Sequence, residues 1–186
     1  PGRAHLVNVH GTYNVLELAR KSGAHKFVFS SSAHVYGIPP RCLPTGEDSP
    51  LVPQSCYTLT KILGEELCKL YWQTHRLSYT VLRLFNTYGL EQAPGYFIPD
   101  QLLKAQRGNF DLLGSDITKD WVHVTDVADA FVKALTVDIP CTLNIGTGVE
   151  TNLETIARFI AKAYQVELNA LHSDSPTRMC ADWGLA

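Results

Sequence analysis

Leu6, Val9, Tyr13, Leu16 and Ala19 recur at steps of three and four along the start of the chain, and Gly23 follows the basic pair Arg20 and Lys21. That period lays one apolar stripe along a helix over 4–22, which a glycine in the left-handed conformation then ends. KFVFSSS (26–32) is a short apolar run closing in hydroxyls, the pattern of a buried strand whose carboxyl end opens onto something polar. A loop carrying Pro39, Pro40, Pro44, Pro50 and Pro53 interrupts both periods. From Ser55 the helical period returns over 55–75: Leu59, Ile62, Leu63, Leu67, Leu70 and Tyr71 share one face, with Tyr57 and Lys61 in the first turns. YTVLRLF (79–85) predicts a strand, IPDQLLKAQRG (98–108) a helix with proline at its start, and FDLLG (110–114) and DWVHV (120–124) two further strands. A helix over 126–137 and a strand at TLNIG (142–146) follow, and Thr151 with Glu154 forms a capping-box signature for a last helix reaching about Tyr164.

Strands alternating with helices argue an α/β chain whose mostly parallel sheet is covered on both faces. Ligands of such sheets sit beyond the carboxyl ends of the strands. Ser30, Ser31, Ser32 and Asn86 fall there.

With 186 residues, 45% of them hydrophobic, the chain has enough apolar surface for a substantial core, as one domain or a domain with a small appendage. A formal net charge of -2 and a pI near 6.4 supply no basic field for nucleic acid and no polybasic run for a membrane surface. Its apolar runs are too short for a spanning helix. Five cysteines, odd in number and without a Cys-x-x-Cys, point to a reduced, cytoplasmic setting. Seven histidines contain no His-x-x-x-His or His-Glu-x-x-His spacing, so no metal is expected.

Tyr57 and Lys61, four apart on a helix, share a face and lie about 5 to 6 Å apart at Cβ. An ammonium that close favours a phenolate, and bringing a phenol from about 10 to about 7 takes roughly 4 kcal/mol of differential stabilisation. A strand-end hydroxyl beside such a pair could hold a substrate alcohol in line with the tyrosine oxygen. The same spacing suits a solvated surface lysine and a half-buried tyrosine, and from spacing alone that plainer alternative is the stronger.

Taken in order, NVHGTYNVLELARKSG, KFVFSSSAHVYG, CYTLTK, LRLFNTYG, KDWVHVTDVADA and LNIGTG resemble the extended branch of the short-chain dehydrogenase/reductase family, most closely its nucleotide-sugar epimerases and dehydratases. The resemblance implies a Rossmann-like, doubly wound parallel sheet with a smaller C-terminal substrate-binding part. The expected division is 1–95 for the Rossmann portion and 96–186 mainly for substrate, with 126–148 returning to the Rossmann sheet. It implies that Tyr57 is the catalytic base and acid, that Lys61 supports its ionisation and binds the nicotinamide ribose of NAD or NADP, and that Ser32 hydrogen-bonds the reacting sugar hydroxyl. Asn8 matches a helix asparagine near the cofactor, and Ser30 and Phe85 match positions lining the nicotinamide pocket. For a nucleotide-diphosphate sugar, Asn86, Lys119 and Arg178 match diphosphate-binding positions, Lys119 standing where the family usually has arginine. The family also implies a homodimer through the helices at 5–22 and 55–75.

Ala33 and His34 occupy the places that carry an acid and a carboxylate base in the family's 4,6-dehydratases. Alanine has no proton to give, so the resemblance implies an epimerase working through a 4-keto intermediate. A nucleotide-sugar reductase or decarboxylase, and a non-catalytic nucleotide-binding module, are the alternatives. A dinucleotide fold has a glycine-rich turn after its first strand, whereas Gly146 and Gly148, the only close glycine pair here, follow a late strand. The expectation is therefore that the first strands, with that turn and the residue selecting NAD or NADP, lie upstream of Pro1, and that the chain is an internal piece.

Overall fold

The computed structural model describes residues 2–182 and 184–185. The first helical period is realised as α1 (Gly2–His5), a π-helical turn (Leu6–His10) and α2 (Gly11–Lys21) run end to end, with Gly11 N–H reaching back to the Leu6 carbonyl. Gly23 takes the left-handed conformation beyond it, at φ 71°. β1 (Lys26–Ser32) ends in a 3-10 turn (Ala33–Tyr36) whose cap is Ser32, its Oγ accepting from His34 N at 3.2 Å. α3 (Cys56–His75) is opened by Ser55 and Thr58 capping each other and closed by Arg76 at φ 59°.

β2 (Ser78–Leu84) pairs in parallel with β1 over its whole length, from Lys26 opposite Ser78 to Ser32 opposite Leu84. Next come β3 (Asn86–Tyr88), α4 (Phe97–Gln106), β4 (Phe110–Leu113), β5 (Thr118–His123), α5 (Val124–Ala134) and β6 (Cys141–Ile145). β6 lies in parallel beside β2, giving a sheet of order β1-β2-β6. Five consecutive residues of β2, Tyr79–Arg83, are buried, as a strand covered on both faces requires. On one face Leu16, Phe29, Cys68, Tyr71 and Val81 pack α2 and α3 onto the sheet; on the other Leu82, Val122, Val127, Ala134 and Ile145 form the core under α5. The α/β sheet covered on both faces that the alternating pattern predicts is observed, and with it the doubly wound arrangement that the family resemblance implies.

β7 (Glu150–Asn152), α6 (Leu153–Tyr164) and β8 (Leu168–Leu171) complete the described elements. β5 runs parallel to β3 and antiparallel to β7, while β4 and β8 pair in parallel. α4 and α6 close over this smaller part through Ala105, Leu112, Ala157 and Ile160. One helix start differs from expectation: the cap of α6 is Asn152, whose side chain accepts from Glu154 N at 2.7 Å. Thr151 is drawn instead into β7, opposite Lys119. No helix among the described residues is long and apolar enough to cross a membrane.

Candidate active site

The end of β1 and the first turns of α3 meet because Gly64 lets them. A Cβ at that position would lie 2.3 Å from Phe29 Cζ, so only glycine allows the helix this close to the strand. At that separation Lys61 Nζ donates to the Ser30 carbonyl at 2.9 Å and stands 5.7 Å from the centroid of the Tyr57 ring. Burial disfavours the Lys61 ammonium and pushes its pKa down, and the Ser30 carbonyl is the acceptor that holds the charge in place. Along β1 the serines alternate. Ser31 is buried and donates to Glu65 Oε1 at 2.5 Å, in a network that continues through Arg83, Tyr36 and Asn144.

Ser30, Ser32, Tyr57, Phe85, Asn86 and Lys119 all line one cavity of about 760 Å³ at the carboxyl ends of β1 and β2. Tyr57 is 43% exposed and open to it. Asn86 is oriented by its amide, which donates to the Asp120 carbonyl at 3.1 Å. Burial lowers the Lys119 pKa with no acidic group opposing it, and His34, which lines the same cavity, is lowered first by burial and then by the Lys119 charge. Tyr88, Tyr96 and Trp121 add aromatic surface that the sequence pattern had not singled out.

Three expected site residues stand elsewhere. Lys61 is behind the cavity wall, bound to the Ser30 carbonyl. Asn8, in the π-helical turn, donates to Thr60 Oγ1 at 2.9 Å, and Thr60 donates to the Tyr57 carbonyl at 2.8 Å, so Asn8 braces the turn bearing Tyr57 rather than lining the cavity. Arg178 lies outside it too, because its guanidinium is forked onto Glu150 at 3.1 and 2.6 Å beside a second cavity.

The turn at Gly146–Gly148 offers no free anion cradle. Asp120, fully buried, accepts from Thr147 N, Thr147 Oγ1, Gly148 N and Ala181 N at 2.7 to 3.1 Å. A Cβ on Gly146 would come within 2.8 Å of the same carboxylate. These glycines make room for a protein anion.

A parallel sheet with helices on both faces and a cavity at the carboxyl ends of its strands is the Rossmann-type α/β arrangement. The sequence profile described as the NAD dependent epimerase/dehydratase family matches residues 1–146, and the chain belongs to that family. A candidate UDP-glucose 4-epimerase of Methanocaldococcus jannaschii is 41% identical over 158 residues, covering 81% of this chain and 50% of its own. A UDP-glucose 4-epimerase of Mycolicibacterium smegmatis is 38% identical over 168 residues, covering 84% of this chain and 52% of its own. The chain spans about half the length of the curated relatives it matches.

Among solved structures, Thermotoga maritima UDP-glucose 4-epimerase with UDP-glucose superposes with a TM-score of 0.88 at 26% identity, over 99% of this chain and 63% of that one. Bacillus anthracis dTDP-glucose 4,6-dehydratase in complex with NAD gives 0.83 at 27% identity, over 95% and 58%. The family is NAD-dependent, and Ser30, Tyr57 and Phe85, with Lys61 behind them, fit the nicotinamide end of such a cofactor: a partly apolar cavity with a hydroxyl and a held ammonium at its wall. The Gly146–Gly148 turn does not fit the pyrophosphate, since Asp120 already occupies its N–H groups.

Proposed function

We propose that this chain carries the catalytic and substrate-binding part of an NAD(P)-dependent nucleotide-sugar 4-epimerase that works through a 4-keto intermediate. The observation that carries this reading is the one cavity that Ser32, Tyr57, Asn86 and Lys119 line together. A bound dinucleotide supplies a reversible hydride acceptor. Tyr57 takes the proton from the sugar hydroxyl and returns it, Ser32 orients that hydroxyl, and the Lys61 ammonium, fixed on the Ser30 carbonyl, lends its field to the tyrosine oxygen. Asn86 and Lys119 hold the diphosphate, as a polar contact and a point charge rather than a bidentate fork. Ala33 gives an elimination no acid, which favours epimerisation over dehydration.

The test is to incubate the protein with NAD and several nucleotide sugars and analyse the products by chromatography and mass spectrometry. Interconversion of 4-epimers is expected, and Tyr57→Phe should abolish it while nucleotide-sugar binding persists. A product lighter by one water would refute the assignment, and a net reduced or decarboxylated sugar would move it to the alternative enzymes of the family. Binding without turnover in the intact protein would make the chain a nucleotide-binding module.

The assembly we propose is a homodimer through 5–22 and 55–75, acting in the cytoplasm. Leu6, Val7 and Leu18 on the first helical stretch are 63–65% exposed, and Leu59 and Leu70 on α3 are 45% and 48% exposed. Leu70→Lys should therefore yield a folded monomer in sedimentation; an unfolded chain, or an unchanged dimer, would count against this interface. The five free cysteines accord with a reducing compartment.

A further inference from the structure

We propose that Ser31 and Glu65 are positioning residues: their hydrogen bond fixes the end of β1 against α3, and so sets the gap that a reacting hydroxyl must bridge between Ser32 and Tyr57. The role belongs to the nucleotide-sugar reading and rests on it; neither residue touches the reacting atoms. Ser32 closes β1 and Tyr57 lies in the first turn of α3, so their hydroxyls stand on different elements, and the distance between them is only as fixed as the packing of strand on helix. Three successive residues of β1 hold that packing. Phe29 lies against Gly64, the Ser30 carbonyl accepts from Lys61 Nζ at 2.9 Å, and the Ser31 hydroxyl donates to Glu65 Oε1 at 2.5 Å. Lys61 and Glu65, four apart on α3, share the helix face turned to the strand.

The Ser31 contact is the one held from both sides. Phe29 against Gly64 limits how near the helix comes but not where along the strand it stands, and the long stem of Lys61 reaches its carbonyl from a range of helix positions. Glu65 has no such freedom. Arg83, directly opposite Ser31 on β2, donates from Nε to Oε1 at 3.1 Å and from Nη2 to Oε2 at 2.7 Å. The carboxylate is therefore aimed from β2 and takes the Ser31 hydroxyl from β1, with all three groups buried. Two strands thus fix one point on the helix, about two turns beyond Tyr57. Ser31 borders the catalytic cavity as well, but its one proton is committed to Glu65. Removing that hydroxyl leaves Oε1 with the Arg83 Nε–H, so no charge is orphaned and the fold stands, while the end of β1 loses its fixed register on α3. Displacing aligned reacting groups by about 1 Å costs on the order of 100-fold in rate.

The experiment compares wild type, Ser31→Ala, which removes the hydroxyl, and Ser31→Thr, which keeps it. With NAD and UDP-glucose, Ser31→Ala should lower kcat about ten- to hundredfold while KM stays within about twofold of wild type, and Ser31→Thr should recover most of the loss. A Ser31→Ala protein that melts lower yet turns over like wild type, or that raises KM with kcat unchanged, overturns the proposal. NMR of the chain without cofactor gives a readout apart from activity. The Ser31 hydroxyl proton should appear in slow exchange in the wild type, and Ser31→Ala should speed amide exchange at Ser32 and His34 while the interior of α3 stays protected. Absence of that hydroxyl proton from the wild type, or exchange speeded alike throughout the chain in Ser31→Ala, overturns the positioning role; the first of these needs no variant and decides even where a substitution unfolds the protein. A wild type that shows the hydroxyl proton but does not epimerise UDP-glucose overturns the nucleotide-sugar reading, and the catalytic role of the contact with it.

Discussion

Arg83 and Glu65 meet beneath the strand ends in a fork of 3.1 and 2.7 Å, and Arg178 and Glu150 meet at the rim of the second cavity in one of 3.1 and 2.6 Å. The two contacts have almost the same geometry and opposite surroundings. The first pair is 5% and 0% exposed, the second 60% and 21%. In the core the ions are enclosed by Ser31, Tyr36 and the Glu47 carbonyl, so each partner depends on the other for its charge to be tolerable. At the rim, water solvates whatever a broken pair leaves behind. Geometry being equal, burial decides which fork the fold depends on.

The largest expected effect comes from removing one half of the buried fork. Glu65→Leu leaves the buried Arg83 charge without its counter-ion and should cost about 3 to 5 kcal/mol in denaturant unfolding, with Glu65→Leu/Arg83→Met recovering most of it. Equal losses for the single and double variants would mean that shape rather than charge is what the site requires. A smaller loss tests the spacing between helix and strand above the fork. Gly64→Ala forces a methyl against the Phe29 ring and should cost about 1 to 3 kcal/mol by overpacking. It should also loosen the Lys61–Ser30 contact, which amide exchange at the end of β1 can follow. An alanine tolerated without loss would show that Phe29 has room to turn.

What the sequence revealed and what it hid follow one physical division. β1 and α3 were legible because their apolar periods run for seven and twenty residues, long enough to separate strand from helix. β3 and β7 are three residues long, carry no readable period, and owe their existence to β5, far away in sequence. Ser32, Tyr57 and Asn86 were accessible because each closes or flanks a readable element, and Lys119 only through the family resemblance. Two expected site residues, Asn8 and Arg178, and the Gly146–Gly148 turn share a feature that no local pattern displays: a distant protein group holds their polar atoms. Asn8 is taken by Thr60, Arg178 by Glu150, and the Gly146–Gly148 turn faces Asp120. Partners 27 to 52 positions away leave no local trace in a pattern. Lys119 and His34 are the opposite case, polar side chains with no hydrogen-bond or ion-pair partner among the described residues.

The smallest effect belongs to the exposed fork, and its signature is in pH and salt. Arg178 holds the Glu150 carboxyl below its ordinary range, chiefly through their hydrogen bond. A carboxylate depressed in the folded state adds stability above its unfolded pKa and loses it as pH falls through the folded value. Arg178→Ala should therefore lower the melting temperature slightly at neutral pH, and the difference from wild type should fade on acidification and in high salt, which screens exposed pairs. The buried fork should behave otherwise, since salt reaches it poorly. A large, salt-insensitive loss in Arg178→Ala would show that the rim pair is shielded, for instance by a second copy of the chain, and would break the contrast between the two forks.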